Sequence, residues 1–285
     1  MRILITGRGT SGSWQIRGVQ LGRAIGAAVE ANAMKVDGYD AVIVVKRADP
    51  VTVQTIHKAG IPLIHDFVDA WPQPHGNNWT REECMAWAHS QVEQLKPSAI
   101  VAATRAMASD FGEFDMPVLA LPHHARPGQR RATIRAAVAT VGYEGSVRHL
   151  GRWQAMLEAE CERRRWQFYV NPPELAELDI VVALREATGY APRHWKSGVK
   201  SANAKGAGVP IICNREAGYL ETASGAEEWA DTPDELAAAL GALASQEVRR
   251  ARADRLYAAA PTLERIAAEY QLWLRTLPWM TAARS

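Results

Sequence analysis

The residues best suited to chemistry lie in Trp195–Pro210, WKSGVKSANAKGAGVP. Read as one helix from Trp195 to Gly206, this run sets Lys196, Lys200 and Asn203 at i, i+4 and i+7, on one face. Val199, Ala202 and Gly206 fall on another face, small enough to pack closely on a sheet. Arg193, His194, Lys196 and Lys200 crowd the start of that helix, where the macrodipole disfavours cations by roughly a few tenths of a kcal/mol each. The crowding becomes favourable if a diphosphate sits there; the alternative is a solvated basic face. Next come an apolar run, Val209–Cys213, and the loop NREAGYLE. In it Gly218 and Tyr219 with Glu221 could hold sugar hydroxyls and ribose, or Glu221 could simply favour a helix start. Arg185, just past the apolar run Ile180–Ala183, adds a cation for a leaving diphosphate.

In the first half, His65, Asp66 and Asp69 supply candidates for removing the proton of a hydroxyl nucleophile. Asp66 is favoured, Asp69 second and His65 third; one aspartate could instead cap a helix or orient His65. A mechanism that retains anomeric configuration needs no such base, so the stereochemistry is open. Gly7-Arg8-Gly9-Thr10-Ser11-Gly12 follows an apolar run and opens a helical pattern, which satisfies GxGxxG, and Glu30 stands where a ribose-binding acid belongs. An NAD(P)- or flavin-binding oxidoreductase is therefore a rival. The loop is followed by a bulky ring and a cation, Trp14 and Arg17, and its glycines suit a backbone that approaches an acceptor closely. Arg8, Gly9, Ser11, Gly12, Ser13, Trp14 and Arg17, with Lys46 and Arg105 after later strands, form the expected acceptor side.

These residues need elements to position them. Short β-branched runs alternate with helical segments: Arg2–Thr6, Ala41–Val45, Pro62–His65, Ala99–Ala103 and Val118–Leu121, then Thr140–Val141, Gln167–Val170, Ile180–Ala183 and Val209–Cys213. Apolar runs without alternation suit strands buried on both faces of a parallel sheet. The expected fold is α/β, with two Rossmann-like domains facing across a cleft that opens at the carboxyl ends of their strands. The run Pro122–Gln129 reads as the linker, giving an acceptor-side domain over 1–129, a donor domain over 130–260 and a terminal helical segment over 261–285. The chain of 285 residues is 47% hydrophobic and 22% charged, with a net charge of +2. Those values exclude a disordered or fibrous chain and imply no polyanionic partner by themselves. No apolar run is long enough for a membrane span, and Cys84, Cys161 and Cys213 lack disulfide or zinc spacing. A cytoplasmic protein without stable membrane association is expected.

KSANAKGAGVPII followed by AGYLE resembles the donor-site region of GT-B-type nucleotide-sugar glycosyltransferases. The resemblance covers about 30 residues well and most of the chain loosely. It implies Lys200 at the diphosphate, Gly142-Tyr143-Glu144-Gly145 as the first turn of the donor domain, and a terminal helix that crosses back to the first domain. Asn203 stands where the family often carries a ribose-binding glutamate, a departure that Glu221 could make good. The implied donor is a nucleoside-diphosphate sugar, a UDP-sugar first, with no tightly bound cofactor; no DxD or His/Cys cluster suggests a metal.

For the acceptor, Arg8, Lys46, Arg47 and Arg105, with a further string at Arg126, Arg130, Arg131 and Arg135, would give a positive surface. With Trp14, Trp71 and Trp79 interleaved, this suits a polyanion with stackable bases, such as a 5-hydroxymethylpyrimidine in DNA turned out of the stack. The TSGSWQIRG loop is similar to that of small bacteriophage glycosyltransferases that decorate modified bases. A surface polysaccharide, a lipid-linked glycan or a small molecule is the alternative acceptor.

Overall fold

A computed structural model describes residues 1–70, 78–186 and 189–282. Trp71 lies outside the described residues. The chain divides into two compact units, one formed by Met1–His123, Gly189–Ser197 and Leu263–Ser285, the other by His124–Thr188 and Gly198–Thr262. The boundary falls at His123–His124 rather than near Arg130, and the nine-residue piece Gly189–Ser197, placed by sequence within the second half, belongs to the first unit.

The strands are β1 Ile3–Thr6, β2 Ala28–Val29, β3 Ala41–Val45, β4 Leu63–Asp66, β5 Ala99–Ala102 and β6 Val118–Ala120 in the first unit. The second unit holds β7 Thr140–Tyr143, β8 Gln167–Val170, β9 Ile180–Ala183, β10 Ile211–Cys213 and β11 Glu228–Trp229. The helices, in chain order, are α1 Leu21–Ala24, α2 Pro50–Lys58, α3 Arg81–Leu95, α4 Arg105–Asp110, α5 Trp153–Arg164 and α6 Tyr190–His194, then α7 Val199–Ala207, α8 Ala217–Leu220, α9 Pro233–Ala242, α10 Gln246–Ala258, α11 Leu263–Thr276 and α12 Pro278–Ala282.

Unit 1 is a parallel sheet of order β2-β1-β3-β4-β5-β6, and unit 2 a parallel sheet of order β11-β10-β9-β7-β8. Strands such as β3 (AVIVV) are buried along their whole length, as a sheet covered on both faces requires. The unit 1 core joins Ile5, Ile43 and Ile64 to Ile266, Tyr270 and Leu274 of α11; the unit 2 core gathers Trp153, Leu157, Val182 and Leu240. Several helices start where their sequence directs: Thr80 and Thr232 form capping boxes with Glu83 and Glu235, and Pro233 opens α9. The two strands with no clear sequence signal, β2 and β11, are two-residue edge strands.

The helix expected over Trp195–Gly206 is broken. Residues 190–194 form α6, and α7 begins only after Gly198. Unit 1 holds the intervening stretch: Trp195 Nε1 and Tyr190 Oη donate to Asp110 Oδ2 at 2.7 and 2.8 Å, and Thr104 Oγ1 donates to the His194 carbonyl at 2.6 Å. Trp195 is fully buried among Phe67, Met107 and Phe111. Burying that ring and satisfying its N–H outweighs one continuous helix.

Candidate functional site

In unit 2 the carboxyl ends of β7, β9 and β10 bring polar groups together beside the start of α7. Lys200 and Asn203 stay on one face of the shortened helix and both meet the end of β7. Lys200 Nζ donates to Tyr143 Oη at 3.0 Å and lies 4.2 Å from the centre of its ring. Asn203 Nδ2 donates to Glu144 Oε2 at 2.9 Å, while Arg126 Nη2 donates to Glu144 Oε1 and the Arg126 amide to Asn203 Oδ1 at 3.0 Å. Gly145, at φ +135°, is locked by Asn171, which accepts from its amide at 2.6 Å and donates to its carbonyl at 3.1 Å. A Cβ at Gly145 would stand 3.3 Å from Lys200 Cε, so glycine lets the loop lie against that lysine.

The deeper residues of this side are structural supports. Arg185 is buried, its Nε donating to Glu216 Oε1 at 2.9 Å and its amide to Asn214 Oδ1 at 2.6 Å. Burial works against its charge, yet the Glu216 carboxylate outweighs it and raises the guanidinium pKa. Gly142 and Tyr219, expected at the donor, are buried: a Cβ on Gly142 would stand 2.2 Å from Leu178 Cδ1, and Tyr219 is 1% exposed. Gly218 matters through its backbone, since a Cβ on Gly198 would stand 2.2 Å from the Gly218 carbonyl oxygen. That close approach fixes the start of α7 against the start of α8. Glu221 is half-buried at the end of α8. Glu216 and Asn171 were missed by sequence reading; Glu216 follows a buried strand as Glu221 does, but five residues earlier.

Lys196 corrects the expected cationic cluster. It belongs to unit 1, where its Nζ donates to Asp69 Oδ2 at 2.7 Å. Arg193 and His194 lie in the last turn of α6, where the dipole favours rather than penalises them. Of the four cations, Lys200 alone sits in the first turn of α7.

In unit 1 the ends of β3 and β4 frame Asp69. Lys46 Nζ lies 2.6 Å from Asp69 Oδ1, opposite Lys196. Both strands end in a three-residue turn with positive φ: the Arg47 amide donates to the Val45 carbonyl across Lys46 (φ +61°), and the Asp69 amide to the Phe67 carbonyl across Val68 (φ +62°), each at 2.6 Å. Such turns are strained for residues other than glycine, most of all for a β-branched one. Burial pushes the Asp69 pKa up, but Lys196 and Lys46 outweigh it and hold the carboxyl well below the usual range.

Asp66 and His65 are corrected as base candidates because both are buried in the strand. Asp66 faces Arg17, whose Nε is 3.6 Å from its Oδ2, and burial raises its pKa. Burial lowers the His65 pKa to about 4, with Nε2 3.3 Å from the Lys46 carbonyl oxygen. Arg17 and Trp14 are likewise not acceptor contacts. Arg17 is 1% exposed and also donates to the Leu121 carbonyl; Trp14 belongs to the core, its ring filling the space beside Gly7 and Gly18. Arg8, Ser11 and Gly12 are exposed, Gly9 and Ser13 half-buried, and Arg105 is exposed at the start of α4.

The glycine loop runs into an irregular helix. The Trp14 amide donates to Ser11 Oγ at 3.2 Å and the Gln15 amide to the Ser11 carbonyl at 3.1 Å, and the residues that follow, Trp14–Gln20, form a π-helix. Nothing lies within 4 Å of a Cβ at Gly12, so no close approach demands a glycine there. The basic string past the boundary is neutralised within unit 2: Arg126 by Glu144, Arg131 by Asp254, Arg130 by Glu177 at 3.3 Å and Arg135 by Asp179 at 2.7 Å. Among the described residues no helix is long and apolar enough to cross a membrane, and no group of three His, Cys, Asp or Glu is placed to hold a metal.

No protein-family model matches the sequence, and no curated protein does. Solved structures do resemble it. The HepE protein of Anabaena in complex with UDP is 12% identical and superposes with a TM-score of 0.66 over 97% of this chain and 100% of its own. The lipopolysaccharide outer core galactosyltransferase WaaB is 10% identical, with a TM-score of 0.57 over 96% of this chain and 100% of its own. A glycosyltransferase of Rickettsia africae is 9% identical, with a TM-score of 0.60 over 97% and 98%. The fold is that of GT-B-type glycosyltransferases: the alternation of strands and helices predicts its two parallel α/β sheets, and the donor-site resemblance implies the GT-B type.

Proposed function

We propose that this chain is a glycosyltransferase that takes a sugar from a UDP-sugar and delivers it to a hydroxyl group of a saccharide. The observation that carries this reading is the cluster of Lys200, Tyr143, Glu144 and Asn203 at the strand ends of unit 2. An ammonium group in the first turn of a helix, beside a glycine turn and a held carboxylate, suits a diphosphate and the hydroxyls next to it. The whole-chain likeness to HepE, a protein seen with UDP and with UDP-glucose, supports the choice of nucleotide.

Lys200 would stabilise the charge of the departing UDP, and Glu144, steadied by Asn203 and Arg126, would accept from hydroxyls of ribose or sugar. This assigns to Glu144 the carboxylate role that Asn203 cannot fill. Asp69 would orient the acceptor hydroxyl between two ammonium groups. A carboxylate so strongly held in its charged form is a weak base, and the arrangement favours a reaction that retains the donor's anomeric configuration.

A saccharide is preferred to DNA as acceptor because several of the features that favoured DNA are spent inside the fold. Trp14 is in the core, Trp79 packs on Trp87 at 6.2 Å between ring centres, and Arg126, Arg130, Arg131 and Arg135 have carboxylate partners.

Calorimetric titration with UDP, ADP and GDP tests the reading. UDP is expected to bind most tightly, and Lys200→Ala to weaken it by about tenfold or more, the loss of one charge-assisted contact of 1.5–3 kcal/mol. Equal binding of all three nucleotides, or an unaffected Lys200→Ala variant, overturns it.

A further inference from the structure

The last turn of α7 is tied to the segment that follows β10. Lys205 and Glu227 are both buried, and Lys205 Nζ lies 2.8 Å from Glu227 Oε1. The same Nζ donates to the Thr222 carbonyl, and Thr222 Oγ1 donates to the Gly218 carbonyl at 2.9 Å. That is the carbonyl which Gly198 approaches closely at the start of α7. Gly198 and Lys205 stand seven residues apart, on one side of the helix. The helix therefore grips one turn, Gly218–Thr222, from both of its ends. Glu227 is well supplied with donors: besides Lys205 it accepts from the Ser224 amide at 3.0 Å, the Ser224 hydroxyl at 3.2 Å and the Ala226 amide at 3.1 Å.

Desolvating two charges offsets most of their attraction, so a buried ion pair is a poor source of stability. A satisfied polar network does something else: it rigidifies its surroundings and selects one conformation. We infer that Lys205, Glu227 and Thr222 are positioning residues, which fix the turn Gly218–Thr222 relative to Lys200 and so set the shape of the nucleotide site. The inference rests on the UDP reading above and adds residues to that site which touch no ligand themselves. Arg252 and Arg255 of α10 also reach this loop, at the Gly225 and Ser224 carbonyls, each at 3.2 Å. Their contacts fall beyond Thr222 and do not lead back to Gly218, so they serve as a control.

The test compares Lys205→Met, Thr222→Val and Arg255→Ala with the parent in the full-length protein, by calorimetric titration with UDP and by hydrogen exchange with and without it. Lys205→Met is expected to weaken UDP binding by about tenfold or more. Thr222→Val, which removes one hydroxyl and keeps the ion pair, is expected to weaken it several-fold. In both variants residues 218–222 should exchange about tenfold faster or more, while β9 exchanges as in the parent. At saturating UDP, protection of 199–203 should persist and that of 218–222 should be lost, a split that general destabilisation would not produce. Arg255→Ala is expected to bind UDP like the parent. Should β9 also exchange faster in Lys205→Met, that variant is opening globally and Thr222→Val decides. The inference falls if Thr222→Val binds UDP like the parent, if exchange at 218–222 is unchanged, or if Arg255→Ala weakens binding as much as Thr222→Val. A parent that fails to bind UDP strikes the sugar-transfer reading, whereas a parent that binds UDP no better than its variants strikes the positioning role alone.

Discussion

Asp69 shows how one side chain's surroundings set what it can do. Two lysines hold its carboxyl charged, so its pKa in the folded protein lies below that of the unfolded chain. A depressed carboxyl pKa contributes stability that is fully present above the unfolded value, near 4, and is lost as pH falls towards the folded one. The stability difference between the parent and Asp69→Asn should therefore be constant from pH 5 to 8 and shrink below pH 4, as followed by urea denaturation at each pH. The same weak basicity predicts that the transferred sugar keeps its anomeric configuration, which the anomeric proton coupling in the product's NMR spectrum reads directly. Lys200 was legible as a candidate because its helix, its glycine-proline strand entry and its spacing to Asn203 are local features. The fate of Lys196 was not. Nothing in WKSGVK shows that Trp195 has an aspartate waiting 85 residues earlier, and the side chain that breaks the helix is fixed by that distant partner.

At the scale of elements, the sequence marks strands well where full burial demands uninterrupted apolar residues; Ala41–Val45 and Ile180–Ala183 coincide with observed strands that are buried along their whole length. Edge strands of two residues carry no such demand, which is why β2 and β11 escaped notice. Breaks in helices are harder still, since they answer to tertiary contacts. Asp110 is the residue that enforces the one before α7, accepting from Arg81, Tyr190 and Trp195. Asp110→Ala leaves the buried Trp195 N–H unpaired and is expected to cost about 2–4 kcal/mol, measured by chemical denaturation. Gly198→Ala should act on the other side of the break. Its new methyl collides with the Gly218 carbonyl, so UDP binding is expected to fall sharply even where the fold survives, and circular dichroism beside calorimetry separates the two effects.

At the scale of the molecule, each unit has its own sheet and its own core, and the groups proposed for UDP all belong to one of them. Hydrogen exchange should accordingly show UDP protecting residues 143–145 and 199–203 far more than residues 46–69; equal protection of both would contradict the assignment. The net charge of +2 concealed how the charges are used. Arg126, Arg130, Arg131 and Arg135 are matched by carboxylates in unit 2, as Arg8 is by Asp49 and Lys46 by Asp69 in unit 1. Totals cannot reveal such an allocation, and neither can linear clustering. The strain stored at Lys46 and Val68 has a practical corollary for anyone who evolves this protein for heat tolerance. Backbones held in costly conformations are where relaxation comes most cheaply, so selection on melting temperature alone would drift toward residues at ease in those two turns. The survivors would be sturdier proteins and poorer catalysts.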